Sequence, residues 1–212
     1  MTTSQSAAQG PLLRSEQTPP RMFAPDVRWK IPAPEECRAL WDAYDMFDHI
    51  REHSEAVAAV AYTIALRGAE CGLNVNPDAV LASALLHDIA KTYTILHGGD
   101  HAQLGAAWTV RETGNPHIAQ GVMHHVWWPW EISLDNHFLP MAIIYADKRV
   151  RHENIVSLAE RYSDLMDRYG KTERSRQYIT LSLEQAADIE RVFTARLEID
   201  FNAYSFGSGR LV

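Results

Sequence analysis

The stretch "ALLHDIAK", residues 84–91, places a histidine and an aspartate side by side at the end of an apolar run. The surrounding pattern predicts a core helix, so His87 and Asp88 stand where apolar side chains are expected. Adjacent residues on a helix point in different directions, and the two side chains therefore cannot share one narrow face. They can flank a metal ion, or the carboxylate of Asp88 can bridge two metal ions.

Further polar residues fall on the apolar faces of other predicted helices. His53 precedes Val57 by four positions in "HIREHSEAVAAVAYTIAL" and so points inward with it. Three residues occupy comparable positions: His101 in "HAQLGAAW", His125 in "HIAQGVMHHV" and Asp147 in "MAIIYADKRV". Each alone would be interpreted as a hydrogen-bonded core residue. Burying all of them without a shared partner would be strongly unfavourable, and this indicates a site for a divalent ion such as Fe, Mn, Co, Ni or Zn.

The sequence has two adjacent histidines, His124 and His125, and only one of them is expected to point inward as a ligand. Ile118 and Val122 precede His125 by seven and three positions, which places all three on one helical stripe. His124 is rotated from that stripe by about 100°. The pattern favours His125 as the inward residue, with His124 as the alternative.

Composition excludes several classes of protein. The 212 residues include 20 basic and 27 acidic side chains, and the formal charge of −7 argues against stable binding of nucleic acid. No apolar run approaches the roughly 20 residues that a spanning helix needs, and the N-terminus lacks the pattern of a secretory signal. We therefore expect a cytoplasmic protein without a membrane segment. Ten histidines are many for this length, and six of them lie between His87 and His125.

Helical periodicity dominates from residue 34 onward, which predicts an all-α fold. The predicted helices cover residues 34–45, 47–72, 77–90, 100–114, 116–127, 137–169 with a break near 152, and 175–200 with a restart near 183. Asn76 before Pro77 and Asn115 before Pro116 are predicted N-caps, as is Ser182. Gly72, Gly114 and Gly170 fall where helices should end.

The chain divides into three predicted parts. Residues 1–33 are rich in Ser, Thr, Gln and Pro and predict an irregular extension. Residues 34–204 predict one helical domain, and residues 205–212 a flexible tail. The C-terminal helices carry no catalytic signature. Their apolar stripe predicts that they close the domain or pair with a second copy in a homodimer.

The polar residues described above resemble the motif of the HD-domain metal-dependent phosphohydrolases, an all-helical superfamily. That motif runs His, then His-Asp, then a distant Asp, and here it is met by His53, by His87 with Asp88, and by Asp147. The resemblance covers roughly residues 47–165. His101 and His125 match a subgroup with a two-metal centre, in which the first His, the His-Asp pair and the last Asp hold one metal. The bridging Asp and the two extra histidines hold the second.

The resemblance implies hydrolysis of a phosphate ester or anhydride in a small phosphorylated substrate, with a nucleotide favoured. It implies one or two divalent metals, Fe or Mn being favoured, and a catalytic role for Asp88. Lys91 lies one helical turn from His87 and is assigned a catalytic and phosphate-binding role. Lys148 and Arg149 are further candidates for substrate binding, and a solvated basic face is the alternative for them.

Three tryptophans follow His125 in "HHVWWPWE". One of them, Trp127, Trp128 or Trp130, could stack on a nucleobase, although core packing or a subunit contact is favoured. Two other functions stay open at this point. Some HD-domain proteins use the same ligands to activate oxygen at a di-iron centre, and a regulatory protein could keep the metal without turnover.

Overall fold

The computed structural model describes residues 25–201. The helices are α1 (Pro34–Ala43), α2 (Asp48–Glu70), α3 (Pro77–Leu86), α4 (Lys91–His97), α5 (His101–Thr113), α6 (Pro116–His124), α7 (Leu134–Lys148), α8 (Leu158–Tyr169) and α9 (Glu173–Leu197). A two-stranded antiparallel hairpin, β1 (Val150–Arg151) with β2 (Asn154–Ile155), separates α7 from α8. The predicted all-α fold is confirmed. The predicted tail, and the predicted extension up to residue 24, lie outside the described residues.

Two of the predicted N-caps are made as expected. The side chain of Asn76 accepts hydrogen bonds from the backbone N–H groups of Asp78 and Ala79, and Asn115 caps α6 in the same way. Gly114 ends α5 with a φ of 65°, a backbone conformation that glycine adopts without strain. The predicted cap at Ser182 is wrong, because α9 is continuous from Glu173 to Leu197.

Helix α3 lies at the centre of the bundle. Every residue from Ala79 to Leu86 is buried, and α3 packs against α1, α2, α6 and α7. On one side, the indole N–H of Trp41 in α1 donates a hydrogen bond to the carbonyl of Leu85 at 2.9 Å. Because α3 is apolar on all sides, the residues that follow it lie among several neighbouring helices.

The predicted helix over 77–90 is too long, and α4 was not predicted. Helix α3 ends at Leu86, residues 87–90 form turns, and α4 begins at Lys91. The predicted break near residue 152 is the β1–β2 hairpin, where His152 has a φ of 57°. Helix α7 is kinked at His137, whose φ of −136° and ψ of 33° are not helical. Pro140 follows within one turn, where it lacks an N–H and its ring would clash with the preceding turn of an unkinked helix.

Gly121 allows α6 to approach α3 and α7 closely. A Cβ at this position would lie 2.1 Å from the Ser83 hydroxyl and 2.6 Å from a methyl group of Leu139. The Ser83 hydroxyl cannot move away without losing its hydrogen bond to the carbonyl of Ile118, which measures 2.9 Å. The approach matters for the site, because α6 ends at the residue before His125.

We expect Gly121→Ala to lower the free energy of unfolding by about 1–3 kcal/mol, because an added methyl group overpacks a dense core. Gly105→Ala in α5 is the matched control, since its nearest contact would be 3.1 Å from Val122 and its gain in helix propensity of about 1 kcal/mol offsets mild crowding. Urea unfolding monitored by circular dichroism measures both. Equal effects of the two substitutions would contradict the close approach at Gly121.

Candidate metal centre

The pair His87 and Asp88 lies in the turn that follows α3. His87 is the C-terminal cap of α3, and both side chains are buried with exposures of 0% and 1%. Because α3 ends at Leu86, the divergence expected of adjacent residues within a helix does not apply to this pair. The imidazole Nε2 of His87 lies 3.3 Å from Asp88 Oδ2.

Backbone carbonyls fix the orientation of three histidine rings. His87 Nδ1 donates to the carbonyl of Ala84 at 2.7 Å, and His125 Nδ1 donates to that of Val122 at 2.7 Å. His53 Nδ1 donates to the carbonyl of His152 at 2.9 Å. A carbonyl cannot donate, so Nδ1 carries the proton in each case. Nε2 is therefore the nitrogen that faces the cluster, and it can bind a metal when it carries no proton. For His87, burial acts to lower the pKa, but Asp88 and Asp147 outweigh burial and raise it.

The first group of converging atoms joins α2, the turn after α3, and α7. His53 Nε2 lies 3.0 Å from Asp147 Oδ1, and His87 Nε2 lies 3.9 Å from the same oxygen. Ligand atoms of His53, His87 and Asp147 all lie within 4.8 Å of one another, and the three residues are buried. An imidazole lone pair facing a carboxylate requires a cation, which is either a proton or a metal ion.

The second group joins the turn to α5 and to the end of α6. Asp88 Oδ1 lies 3.4 Å from His101 Nε2 and 3.5 Å from His125 Nε2. The two imidazole nitrogens are 3.1 Å apart. Asp88 therefore directs Oδ1 at this group, while Oδ2 faces His87, which is the disposition expected of a carboxylate between two cation sites.

The donor atoms fit a divalent metal. His87 Nε2 and Asp88 Oδ1 are buried and have no hydrogen-bond partner among the described residues. Leaving such groups without a partner is costly in a protein interior. Imidazole nitrogen and carboxylate oxygen together suit transition metals such as Fe, Mn or Zn, and a bound cation would satisfy both atoms.

Charge at the centre keeps both carboxylates ionised. Burial acts to raise the pKa of Asp88, but His87 and Lys91 outweigh it and hold that pKa well below its usual value. The pKa of Asp147 is also held low, because Lys148 and His53 outweigh the effect of burial.

The second pair of histidines is held neutral. Burial lowers the pKa of His101 to about 4, and it also lowers the pKa of His125. Near neutral pH these two rings therefore carry no charge and can act as ligands. The contacts favour His125 over His124 as the ligand from this segment. His125 Nε2 faces Asp88, whereas the His124 ring packs edge-on against Trp128 and Trp130.

Two of the three predicted substrate-binding cations lie against the carboxylates of the centre. Lys91 Nζ donates to Asp88 Oδ2 at 2.7 Å and keeps a side chain that is 38% exposed. Lys148 is buried and donates to Asp147 Oδ2. A solvated basic face therefore does not describe Lys148.

Arg149 is the third predicted substrate-binding cation, and its side chain points toward the C-terminal part of the chain. Its guanidinium is buried and donates to the carbonyls of Val156 at 2.7 Å and Phe201 at 3.3 Å. It also contacts Tyr145 and Glu190. These contacts favour a structural role, in which Arg149 joins the end of α7 to the segment after α9.

Arg161 in α8 was not singled out by the sequence patterns. Its side chain is 14% exposed, and its Nε is buried with no hydrogen-bond partner in the part of the chain that the structure describes. Nη1 reaches Asp164 only at 3.5 Å. Burial and the charge of Arg161 both act to lower the pKa of Lys91, although Asp88 and Asp147 outweigh them and raise it. Arg161 is thus a partly buried cation with few hydrogen bonds, and its charge acts on the pKa of Lys91.

These elements define an all-helical protein with a buried cluster of histidines and aspartates. The family model of the HD domain matches residues 50–171, and the chain belongs to this family. HD domains bind divalent metals, and membership suggests metal-dependent hydrolase activity. No solved structure gives a significant match to the chain. Within residues 25–201, no helix has the length and apolar character needed to cross a membrane.

Proposed function

We propose that this protein is a metal-dependent phosphohydrolase with a two-metal centre, acting on the phosphate ester or anhydride of a nucleotide or a related small molecule. The observation that carries the proposal is the position of Asp88. Its two carboxylate oxygens face two different groups of histidines, at 3.3 Å for His87 and at 3.4 Å and 3.5 Å for His101 and His125. Sharing one carboxylate in this way is suited to two adjacent metal ions.

In this proposal the first metal would be held by His53, His87, Asp88 and Asp147. The second would be held by Asp88, His101 and His125. Paired metals, when bound, lower the pKa of a water molecule and neutralise the oxygens of a phosphoryl group. The carbonyls of Ala84, Val122 and His152 keep three imidazoles in the metal-binding tautomer. Burial of the cluster strengthens its electrostatic interactions.

The phosphate group of the substrate is assigned to Lys91 and Arg161. Lys91 is bound to Asp88 but remains partly exposed, so it can contact a ligand and the centre together. Within residues 25–201, the Nε of Arg161 has no hydrogen-bond partner, and its Nη1 reaches Asp164 only at 3.5 Å. A phosphate oxygen would give those donors charge-assisted hydrogen bonds.

Arg161→Gln is expected to lower kcat/KM by about 10–100-fold while leaving the metal content unchanged, because one charge-assisted contact to phosphate is lost. Lys91→Ala should behave in the same way. Arg168→Gln is the matched control, since Arg168 lies in the same helix and contacts the same Asp164 but is 44% exposed. Elemental analysis and steady-state phosphate release measure the two quantities. If Arg161→Gln and Arg168→Gln were equivalent, Arg161 would have no role in phosphate binding.

A panel of nucleotides and phosphate esters, assayed with added Mn, Fe or Co, tests the reaction itself. Phosphate release that depends on the metal is the expected result. Oxygen uptake on an organophosphonate or polyol without phosphate release would instead favour a di-iron oxygenase. Metal binding without either activity would favour a regulatory protein.

A further inference from the structure

A cavity of about 390 Å³ lies between the segment after α6 and helices α8 and α9. Its walls include Val126 and Trp127 from the first, Leu165 from α8, and Tyr178 and Ile179 from α9. The volume falls within the range of small-molecule sites, roughly 300–1,000 Å³. The cavity is therefore large enough for the organic part of a substrate.

The cavity adjoins the candidate metal centre at two points. Lys148 lines it and also donates to the carboxylate of Asp147. Two other lining residues, Val126 and Trp127, directly follow His125 in the sequence. Lys148 therefore contacts both the cavity and Asp147, one of the proposed ligands.

The lining residues differ in exposure between the two ends of the cavity. Lys148 and Tyr162 are 8% and 4% exposed, whereas Val126 and Tyr178 are 46% and 37% exposed. The cavity is therefore open to solvent at Val126 and Tyr178, and its inner end lies at the lysine that contacts Asp147.

The lining is apolar and aromatic, and most of its polar groups already have partners. The exception is the indole N–H of Trp127, which is buried and has no hydrogen-bond partner among the described residues. Trp127, Tyr162 and Tyr178 supply aromatic rings. The Tyr162 and Ser182 hydroxyls are hydrogen-bonded to each other at 2.7 Å. Few groups remain to recognise the donors and acceptors of a nucleobase or sugar, and a polar ligand would lose its hydrogen bonds to water on entry.

We propose that this cavity binds an uncharged aromatic group of a phosphate monoester, whose phosphate lies at the metal centre. The inference rests on the proposed phosphohydrolase function and narrows its substrate to esters with an apolar ring. Aromatic walls favour such a ring through offset and edge-to-face contacts. Lys148 provides the positive charge that suits the phosphate end. Hydrolysis breaks the ester bond to phosphorus, adds the elements of water, and yields an arylalkyl alcohol and inorganic phosphate.

Two esters with similar leaving groups test this proposal. Both 1-naphthylmethyl phosphate and glycerol 3-phosphate release a primary alcohol, so intrinsic reactivity does not decide between them. We expect kcat/KM for the naphthyl ester to be at least about 10-fold higher. Ile179→Lys, which places a charge in the cavity, should lower that value by about 10-fold while changing the glycerol phosphate value by less than about two-fold. Leu66→Lys is the control: it places the same charge at an exposed apolar residue of α2, outside this cavity, and should change neither value.

Binding of 1-naphthalenemethanol, which carries no phosphate, separates this proposal from the hydrolase function. Calorimetric titration should show binding to the full chain and to Leu66→Lys, but at least about 10-fold weaker binding to Ile179→Lys and Leu165→Lys. This pattern would support the cavity even if no ester were hydrolysed. Hydrolysis of glycerol phosphate together with absent or unaltered naphthalenemethanol binding would overturn the cavity proposal and leave the hydrolase function standing.

Discussion

Asp88→Asn is expected to remove at least roughly nine tenths of the bound metal and to lower phosphate release by about 1,000-fold or more, because the two metal-binding groups share this carboxylate. Asp88 is 1% exposed and faces His87 with one oxygen and His101 with the other. The amide is nearly the same size, so packing is preserved while the negative charge is lost. A neutral amide is a poor substitute for a carboxylate between cations.

Asp78→Asn is the matched control, because Asp78 lies exposed in the first turn of α3, the helix that leads into the site. Elemental analysis and steady-state phosphate release should find it equivalent to the unaltered chain. Circular dichroism should show the same helix content for both variants. Full metal content in a folded Asp88→Asn protein would contradict the ligand assignment and the two-metal proposal together.

Local signals predicted much of the fold. The Asn-Pro pairs predicted the starts of α3 and α6 correctly, because the Asn side chain satisfies N–H groups that the first turn leaves open. The ends were harder to predict. The apolar pattern of "AVLASALLHDIA" continues to Ala90, yet α3 stops at Leu86. The ring of His87 donates a hydrogen bond to the Ala84 carbonyl there. Periodicity describes which face of a helix is apolar and does not register such a contact at the helix end.

Helical stripes also predicted which polar residues point inward. Of the residues that the stripes placed inward, His53, His125 and Asp147 are buried, whereas the His101 side chain is 27% exposed. The stripes could not show that Asp88 divides its oxygens between two groups, since this depends on how α5 and α6 pack against the turn after α3. Periodicity orients a side chain about its own helix axis and says little about distances between helices.

The residues that sequence reasoning missed lie in α8, which carried no catalytic signature. Arg161 follows Leu158 by three positions and precedes Leu165 by four, so it shares the inner face of an amphipathic helix. The same test that selected His53 would have selected this arginine. The cavity that α8 helps to form could not be predicted, because its walls come from four segments distant in sequence.

The second largest expected effect concerns the number of metals. We expect His101→Ala to reduce the bound metal from two ions to one per chain. We also expect it to lower the rate of phosphate release by about 100-fold or more. His101 lies 3.4 Å from Asp88 Oδ1 and 3.1 Å from His125 Nε2, whereas the first group consists of His53, His87 and Asp147. The first site should therefore keep His53, His87, Asp88 and Asp147, while the second loses one of its two imidazoles.

His124→Ala is the matched control for this stoichiometry, because His124 neighbours a proposed ligand in sequence while its ring packs against Trp128 and Trp130. It should retain both ions, and His125→Ala should lose one as His101→Ala does. Elemental analysis and calorimetric titration with Mn count the ions. If the unaltered chain and His101→Ala each bound one ion, the centre would be a one-metal centre. If His124→Ala lost an ion and His125→Ala did not, His124 and not His125 would be the ligand from this segment.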